Sequence, residues 1–574
     1  MSTLAAKLLS HGKSCMRGFF KSCNLSFFLL NATQFLVALN DNIFKLLVIY
    51  LLINVKGAQA APTVLSLAGA IFVIPFLLFS SGAGVLADRL SKRTIIVFAK
   101  ALEVVIMIFG VVAVWFQSEW AAYSALFCLS TEAAIFGPSK YGIIPELVEP
   151  KMVSKANGSM TSFTYLAIIL GTFLASFLTD VTNKNFVFVS TFCLAIAVIG
   201  LFTSLGIQRT APQNSSKKIN PFFLYEIYQT VKLSWSVPHL LSAIFGSSFF
   251  LFIGGFTQLN IIPYAMQSLH LSEVGGGYLF LPTAVGIAIG AILSGQLSKD
   301  KVEPGISCIS GFFIGILFIL LHLFASSLIM AIICLTLLGV FGGAFLIPFD
   351  SFIQVNSPDE KRGQVIATSN FFGFIGVLLA SFCLYLISEQ LGFSASSGFA
   401  LMGILSLLAT IGLCGRLSSL FFPFFVRKIL KRFRTLKVLP PMPEPNSLIV
   451  LQSNSWWDAI LLFALFPKLM LLLPSRRYKR LTWLNAWADA IHLIPTDPQE
   501  NELKNIFEEK KPPTYCLFLH KRNDSQEILN AYESFFSNKS MKMVFAHGKK
   551  ERLYKRYGFI RYTHKVITIY FHKK

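Results

Sequence analysis

The chain has 574 residues, of which 54% are hydrophobic and only 14% charged, with a mean hydropathy of +0.63. Soluble domains carry about 25% charged residues, so an ordinary soluble enzyme is excluded. A net charge of +22 would point to nucleic acid in a soluble protein. Here the basic residues fall in short loops between apolar runs, so anionic membrane lipids, and no nucleic acid, are the expected electrostatic partner.

Residues 1–25 form a basic cytoplasmic segment with Lys7, Lys13, Arg17 and Lys21. The apolar run behind it, residues 25–54, is too long for a signal-peptide core and is expected to remain as an uncleaved span. Near its middle stands Leu39-Asn40-Asp41-Asn42-Ile43-Phe44-Lys45. A carboxylate at that depth costs about 2.5–3.5 kcal/mol on insertion scales and by default marks a polar pathway. Asp41 and Lys45 lie four apart and share a helix face. Either they neutralise each other as a structural pair, or they line a cavity with Asn40 and Asn42.

Twelve spans are expected, at roughly 26–53, 63–86, 94–116, 120–138, 156–178, 186–206, 238–264, 275–297, 305–325, 328–348, 366–388 and 396–425. Such runs lack the alternation of barrel strands, leaving an all-α polytopic membrane protein. The spans divide into six-helix halves, 26–206 and 238–425, joined by a cytoplasmic linker at 207–237; two half-transporters in tandem have this plan. The linker segment 221–229, Pro-Phe-Phe-Leu-Tyr-Glu-Ile-Tyr-Gln, reads as an amphipathic helix at the membrane surface. Alternate loops are basic: Arg89, Lys92 and Arg93; Lys151 and Lys155; Lys217 and Lys218; Lys299 and Lys301; Lys361 and Arg362. The intervening ones hold little beyond Lys56 and Lys184. This asymmetry places both termini in the cytoplasm.

Between spans two and three lies Gly84-Val-Leu-Ala-Asp88-Arg89-Leu-Ser-Lys92-Arg93. The glycine permits close helix packing, and the acid followed by bases can form a charge latch. Gly290 and Gly295-Gln-Leu-Ser-Lys299-Asp300-Lys301 make a degraded copy in the second half. Lys100 and Glu103, three apart, suit a local ion pair, and Glu132 is a further intramembrane acid. Spans four and ten end alike, in Ile135-Phe136-Gly137-Pro138 and Phe345-Leu346-Ile347-Pro348. Each proline is expected to stop its helix, which puts Asp350 at the cytoplasmic mouth. Gln258 and Asn260 in span seven offer neutral hydrogen bonds. The nine cysteines lack metal-ligand spacing and read as small buried residues; neither metal nor cofactor is expected.

The loop 84–93 resembles the signature loop of the major facilitator superfamily. Gln34-Phe-Leu-Val-Ala-Leu-Asn40-Asp41-Asn42-Ile-Phe-Lys45, Phe136-Gly-Pro138-Ser-Lys140-Tyr141-Gly142-Ile-Ile-Pro145-Glu146-Leu and Lys155-Ala-Asn157-Gly158 together resemble the lysophospholipid transporter family within it, over residues 25–425. The resemblance implies a twelve-helix major facilitator fold. It also implies flipping of lysophosphatidylethanolamine or related lysolipids to the cytoplasmic leaflet of a bacterial inner membrane for reacylation. The expected substrate set is Asn40, Asp41, Asn42, Lys45, Glu132, Lys140, Gln258 and Asn260. In it Asp41 meets the headgroup ammonium, and Lys140 either meets the phosphate or only marks the cytoplasmic surface. Some family members place a cation near Gln258, where this chain has none. Gly84, Asp88, Arg89, Lys92 and Arg93 form the expected gate. Few mid-span cations disfavour a strongly anionic cargo; a drug or a sugar is the alternative.

Pro440, Pro441, Pro443 and Pro445 make 426–446 a basic, stiff linker. Residues 447–574 read as a small α/β cytoplasmic domain with strand-like runs at 448–451, 515–519, 542–545 and 565–570. The apolar run 459–473 contains Pro467 and Lys468, is too short to span, and reads as a core or membrane-dipping helix. Gln452-Ser453-Asn454-Ser455-Trp456-Trp457-Asp458 is similar to the first motif of glycerolipid acyltransferases, with Ser453 in place of the motif His and Asp458 kept. A second family block falls on Phe518-Leu519-His520-Lys521, without its acid. Serine lacks the basicity to take a hydroxyl proton, so the domain is expected to be an inert relic. A separate acyltransferase or acyl-carrier system is then the expected partner, and a membrane-anchored acyltransferase is the competing reading.

Overall fold

Apolar runs wind into helices because hydrocarbon offers backbone N–H and C=O groups no partner outside their own segment. The computed structural model describes residues 25–425, apart from 58–60, 213–222, 272–275, 277 and 299–301, and beyond them the strands of a C-terminal sheet. The first half comprises α1 (Leu25–Lys56), α2 (Ala61–Arg89), α3 (Lys92–Trp115), α4 (Glu119–Gly142), α5 (Val153–Val181) and α6 (Phe186–Leu205). After α7 (Phe223–Ser236) come α8 (Leu240–Ser268), α9 (Phe280–Ser298), α10 (Gly305–Leu323), α11 (Leu328–Asn356), α12 (Arg362–Tyr385), α13 (Ala395–Arg416) and the short α14 (Ser418–Phe425).

Among the described residues, 11 helices are long and apolar enough to cross a membrane. The remaining expected span, 120–138, forms the 24-residue α4. It is less apolar because it packs against α2 and α3 and turns the charged Glu132 inward, with no exposure. Helix α7 is amphipathic. It buries Glu226, Ile227, Thr230 and Ser234 and exposes Leu224, Tyr225, Tyr228 and Trp235.

Pro138 and Pro348 do not stop their helices. Both lie inside them, and α11 runs on to Asn356. Neighbouring helices in a bundle re-satisfy the carbonyl that proline frees. Asp350 consequently lies within α11, less than two turns before its end, and lines a cavity between helices.

The chain separates into two compact units: one holds most of the bundle, the other Glu303–Ile309 and the chain from Leu408 onward. In the second unit a 7-stranded sheet runs in the order β1-β7-β6-β2-β5-β3-β4. Its strands are β1 (Arg434–Leu439), β2 (Ser447–Gln452), β3 (Leu469–Pro474), β4 (Ile491–Ile494), β5 (Thr514–Leu519), β6 (Met543–Tyr557) and β7 (Ile560–Lys573). All neighbours are parallel except β6 and β7. Two expectations change here. Leu469–Pro474 is a strand, not the end of a helix: a short apolar run serves a buried strand equally well, and Leu471 and Leu472 are buried between β4 and β5. The sheet also takes in Arg434–Leu439 from the stretch read as linker, paired with β7. Ser453, Asp458 and His520 lie outside the described residues.

Candidate functional site

On α1, successive residues turn by about 100°, so neighbours in Asn40-Asp41-Asn42 face different surroundings. Asn40 is fully buried and donates to Glu103 Oε1 at 2.7 Å. Lys100 Nζ lies 2.6 Å from Glu103 Oε2 and 2.8 Å from Glu132 Oε1, and all three are at most 1% exposed. The ammonium also stands 4.7 Å from the centre of the Phe136 ring. The expected Lys100–Glu103 pair is therefore part of a sealed cluster joining α1, α3 and α4. Asn40 and Glu132 belong to that cluster and not to a cavity surface, because each finds a charged partner on an adjacent helix.

Asp41, Asn42 and Lys45 face the other way, into a cavity of about 330 Å³. Phe72 from the first half and Phe250, Gln258 and Phe280 from the second help to line it. Asp41 Oδ1 is buried without a hydrogen-bond partner. Asn42 Nδ2 donates to Ala38 O at 2.7 Å. Lys45 does not pair with Asp41; its Nζ sits 4.7 Å from the centre of the Phe72 ring, in cation–π geometry. An acid and a base thus share one largely apolar chamber, and the base rests on an aromatic ring rather than on the acid.

The remaining expected residues divide. Gln258 lines the chamber. Asn260 is buried on the far side of α8, donating to Ala395 O at 2.8 Å. Lys140 lines neither this chamber nor the next; its Nζ donates to Gln34 Oε1 at 3.1 Å and lies 5.0 Å from the centre of the Tyr141 ring. It is within electrostatic range of Asp41. Next to the first chamber is a second, of about 200 Å³, which shares with it Tyr165, Ile168, Phe250 and Leu251.

Asp88 is fully buried at the end of α2 and accepts three hydrogen bonds at the start of α12: from Gly363 N at 2.6 Å and from Gln364 N and Nε2, each at 3.0 Å. A carboxylate on the free N–H groups of a helix N-terminus is favoured by both hydrogen bonding and the helix dipole. The approach needs glycine: a Cβ on Gly84 would stand 2.6 Å from Ala367 Cβ and 2.8 Å from Gly363 O. Lys92 pairs with Glu146 at 2.6 Å. Arg93 donates to Leu205 O at 2.9 Å and Ile207 O at 3.3 Å, closing the end of α6. Arg89 is exposed. Gly84 and Asp88 therefore hold the two halves together, while Lys92 and Arg93 brace the first half.

A second clasp was not legible as such. Asn157 and Gln354 exchange amide hydrogen bonds at 3.0 and 2.9 Å, and Asn157 also donates to Ser351 at 3.1 Å. Ser162 donates to Ala288 O at 2.7 Å. Asn157 stood in a motif; Gln354, one of two amides between Pro348 and the end of α11, was the available signal for its partner. The Asp88 and Asn157 hydrogen bonds join the halves at the end that carries the basic loops. That end is shut.

The family model described as Major Facilitator Superfamily matches residues 30–381. A protein named lysophospholipid transporter LplT from Klebsiella pneumoniae is 27% identical over 354 residues, 60% of this chain and 84% of that protein. Its namesake from Yersinia pestis is 25% identical over 366 residues, 62% and 86%. Among solved structures, a bacterial homologue of the iron transporter ferroportin in an outward-facing state aligns at a TM-score of 0.57 and 16% identity, over 68% of this chain and 99% of its own. The Escherichia coli fucose:proton symporter aligns at 0.56 and 15%, over 68% and 98%.

Proposed function

This chain belongs to the major facilitator superfamily, and from that premise we propose that it carries lysophospholipids across the inner membrane of a bacterium, to the cytoplasmic leaflet for reacylation. One observation carries the reading: in a chamber built by both halves, Asp41 keeps an unpartnered oxygen beside a lysine it does not neutralise. A zwitterionic headgroup supplies the missing partner to each. Asp41 takes the ammonium and Lys45 the phosphate, while Lys140, within electrostatic range of Asp41, adds positive potential. Apolar side chains such as Phe72, Phe250 and Phe280 accommodate the single acyl chain. The similarity to proteins named lysophospholipid transporters supports this choice of cargo.

The basic loops put the shut end in the cytoplasm. Release of Asp88 from α12 and of Asn157 from Gln354 lets the halves rock and deliver the load. Reacylation falls to a separate acyltransferase or acyl-carrier system, and the C-terminal domain takes no catalytic part.

Reconstituted in liposomes, the protein should flip fluorescent lysophosphatidylethanolamine. Asp41→Asn should slow it by roughly ten- to hundredfold, the worth of one hydrogen bond to a charged group. Undiminished flipping by that variant would remove Asp41 from the site. Mass spectrometry of lipids retained by the purified protein should find single-chain phospholipids enriched.

A further inference from the structure

The second chamber has a different electrostatic character from the first. It lies between the halves, against the shut end, and Gln354 of the Asn157 clasp is part of its wall. Its single charged residue is Asp350, which accepts one hydrogen bond, from Ser247 Oγ at 2.8 Å. Among the described residues, no cation lines this chamber and none forms an ion pair with Asp350. Aromatic side chains share the space with the carboxylate: Tyr165 and Phe250, together with Tyr141, whose ring already has the Lys140 ammonium 5.0 Å from its centre, and both tyrosines are within electrostatic range of the acid. A carboxylate held in a low-dielectric pocket without a counter-charge is costly. Aromatic rings attract organic cations through their faces. Acid and rings together select an ammonium group over a phosphate or a neutral polyol.

We infer that the Asp350 chamber is a second binding station, for the ammonium of the travelling headgroup, entered from the Asp41 chamber past Tyr165, Ile168, Phe250 and Leu251. This rests on the lysophospholipid reading and adds a step to it. The first chamber, with acid and lysine, holds a whole zwitterion. The second, with acid alone, holds only the cationic end and so ranks headgroups by whether they carry an ammonium. About 200 Å³ suits a headgroup without its tail. Occupancy there touches Gln354 and with it the clasp that keeps the halves together.

The test compares two probes in proteoliposomes: lysophosphatidylethanolamine, which carries an ammonium, and lysophosphatidylglycerol, which does not. Asp350→Asn should slow the first by roughly ten- to hundredfold and change the second less than about twofold. Asp350→Glu should recover most of the first rate. Equal slowing of both lipids, or no slowing of either, overturns the station. If the wild-type protein carries only the ethanolamine lipid, loss in Asp350→Asn with recovery in Asp350→Glu supports it, and loss without recovery overturns it. Should Asp350→Asn not fold, Asp350→Ser, which removes the charge and keeps a hydroxyl within the chamber that lies apart from the Asp41 site, carries the same expectation. A wild-type protein idle on both lipids defeats the carrier reading instead, a separate result.

Discussion

Lys100 and Asp41 lie within one half of the bundle and have opposite relations to their surroundings. Lys100 is wholly enclosed between Glu103 and Glu132, and Asn40 satisfies one of the carboxylates. Removing it leaves two buried acids without a cation, a loss of about 3–5 kcal/mol for a broken buried pair. Lys100→Met should therefore lower the thermal midpoint in detergent sharply or prevent folding. Asp41 has a buried oxygen with no partner, so neutralising it relieves desolvation. Asp41→Asn should keep or raise that midpoint while transport is lost. Melting curves on both variants decide this; equal destabilisation would make Asp41 part of the scaffold.

Glycines do two jobs at the scale of helices. A Cβ on Gly290 would stand 1.9 Å from Val340 O, and one on Gly343 would stand 2.3 Å from Ile287 O, so α9 and α11 touch backbone to backbone within one half. Gly84 makes the same kind of approach between halves. The consequences differ because a half stays rigid while the halves must part. Gly290→Leu should reduce the yield of folded protein. Gly84→Val should fold but favour the state open at the basic end. An impermeant maleimide added from that side should then label Ser369→Cys, in the second chamber, faster than in a Gly84 background free of other accessible cysteines. Unchanged labelling would show that the Gly84 contact does not limit opening.

The membrane bundle consists of two halves held together at the end that carries the basic loops. Its basic loops predict that this end, the N-terminal segment and the C-terminal domain all face the cytoplasm. A fluorescent protein fused after Lys574 should fluoresce, and alkaline phosphatase fused there should be inactive. The reverse pattern would invert the direction of every step above.

Composition and periodicity alone determined that the chain is a helical membrane protein in two halves, with intramembrane charges and a latch loop. Those properties are local: twenty apolar residues, a charge at a given depth, a bias between alternate loops. The site was legible only in part, and for the same reason. Asp41 and Lys45 were recognisable as costly and placed at one depth, but whether they pair depends on Phe72, which arrives from another helix. Asn40, Glu132 and Asn260 read like site residues and are sealed instead by partners far away in the chain. The prolines misled because a helix broken in isolation can continue when neighbours cover its freed carbonyl. The Asp350 chamber and the Asn157–Gln354 clasp join helices from opposite halves. Only the tertiary structure decides such meetings, because a buried charge is satisfied by whatever packs against it.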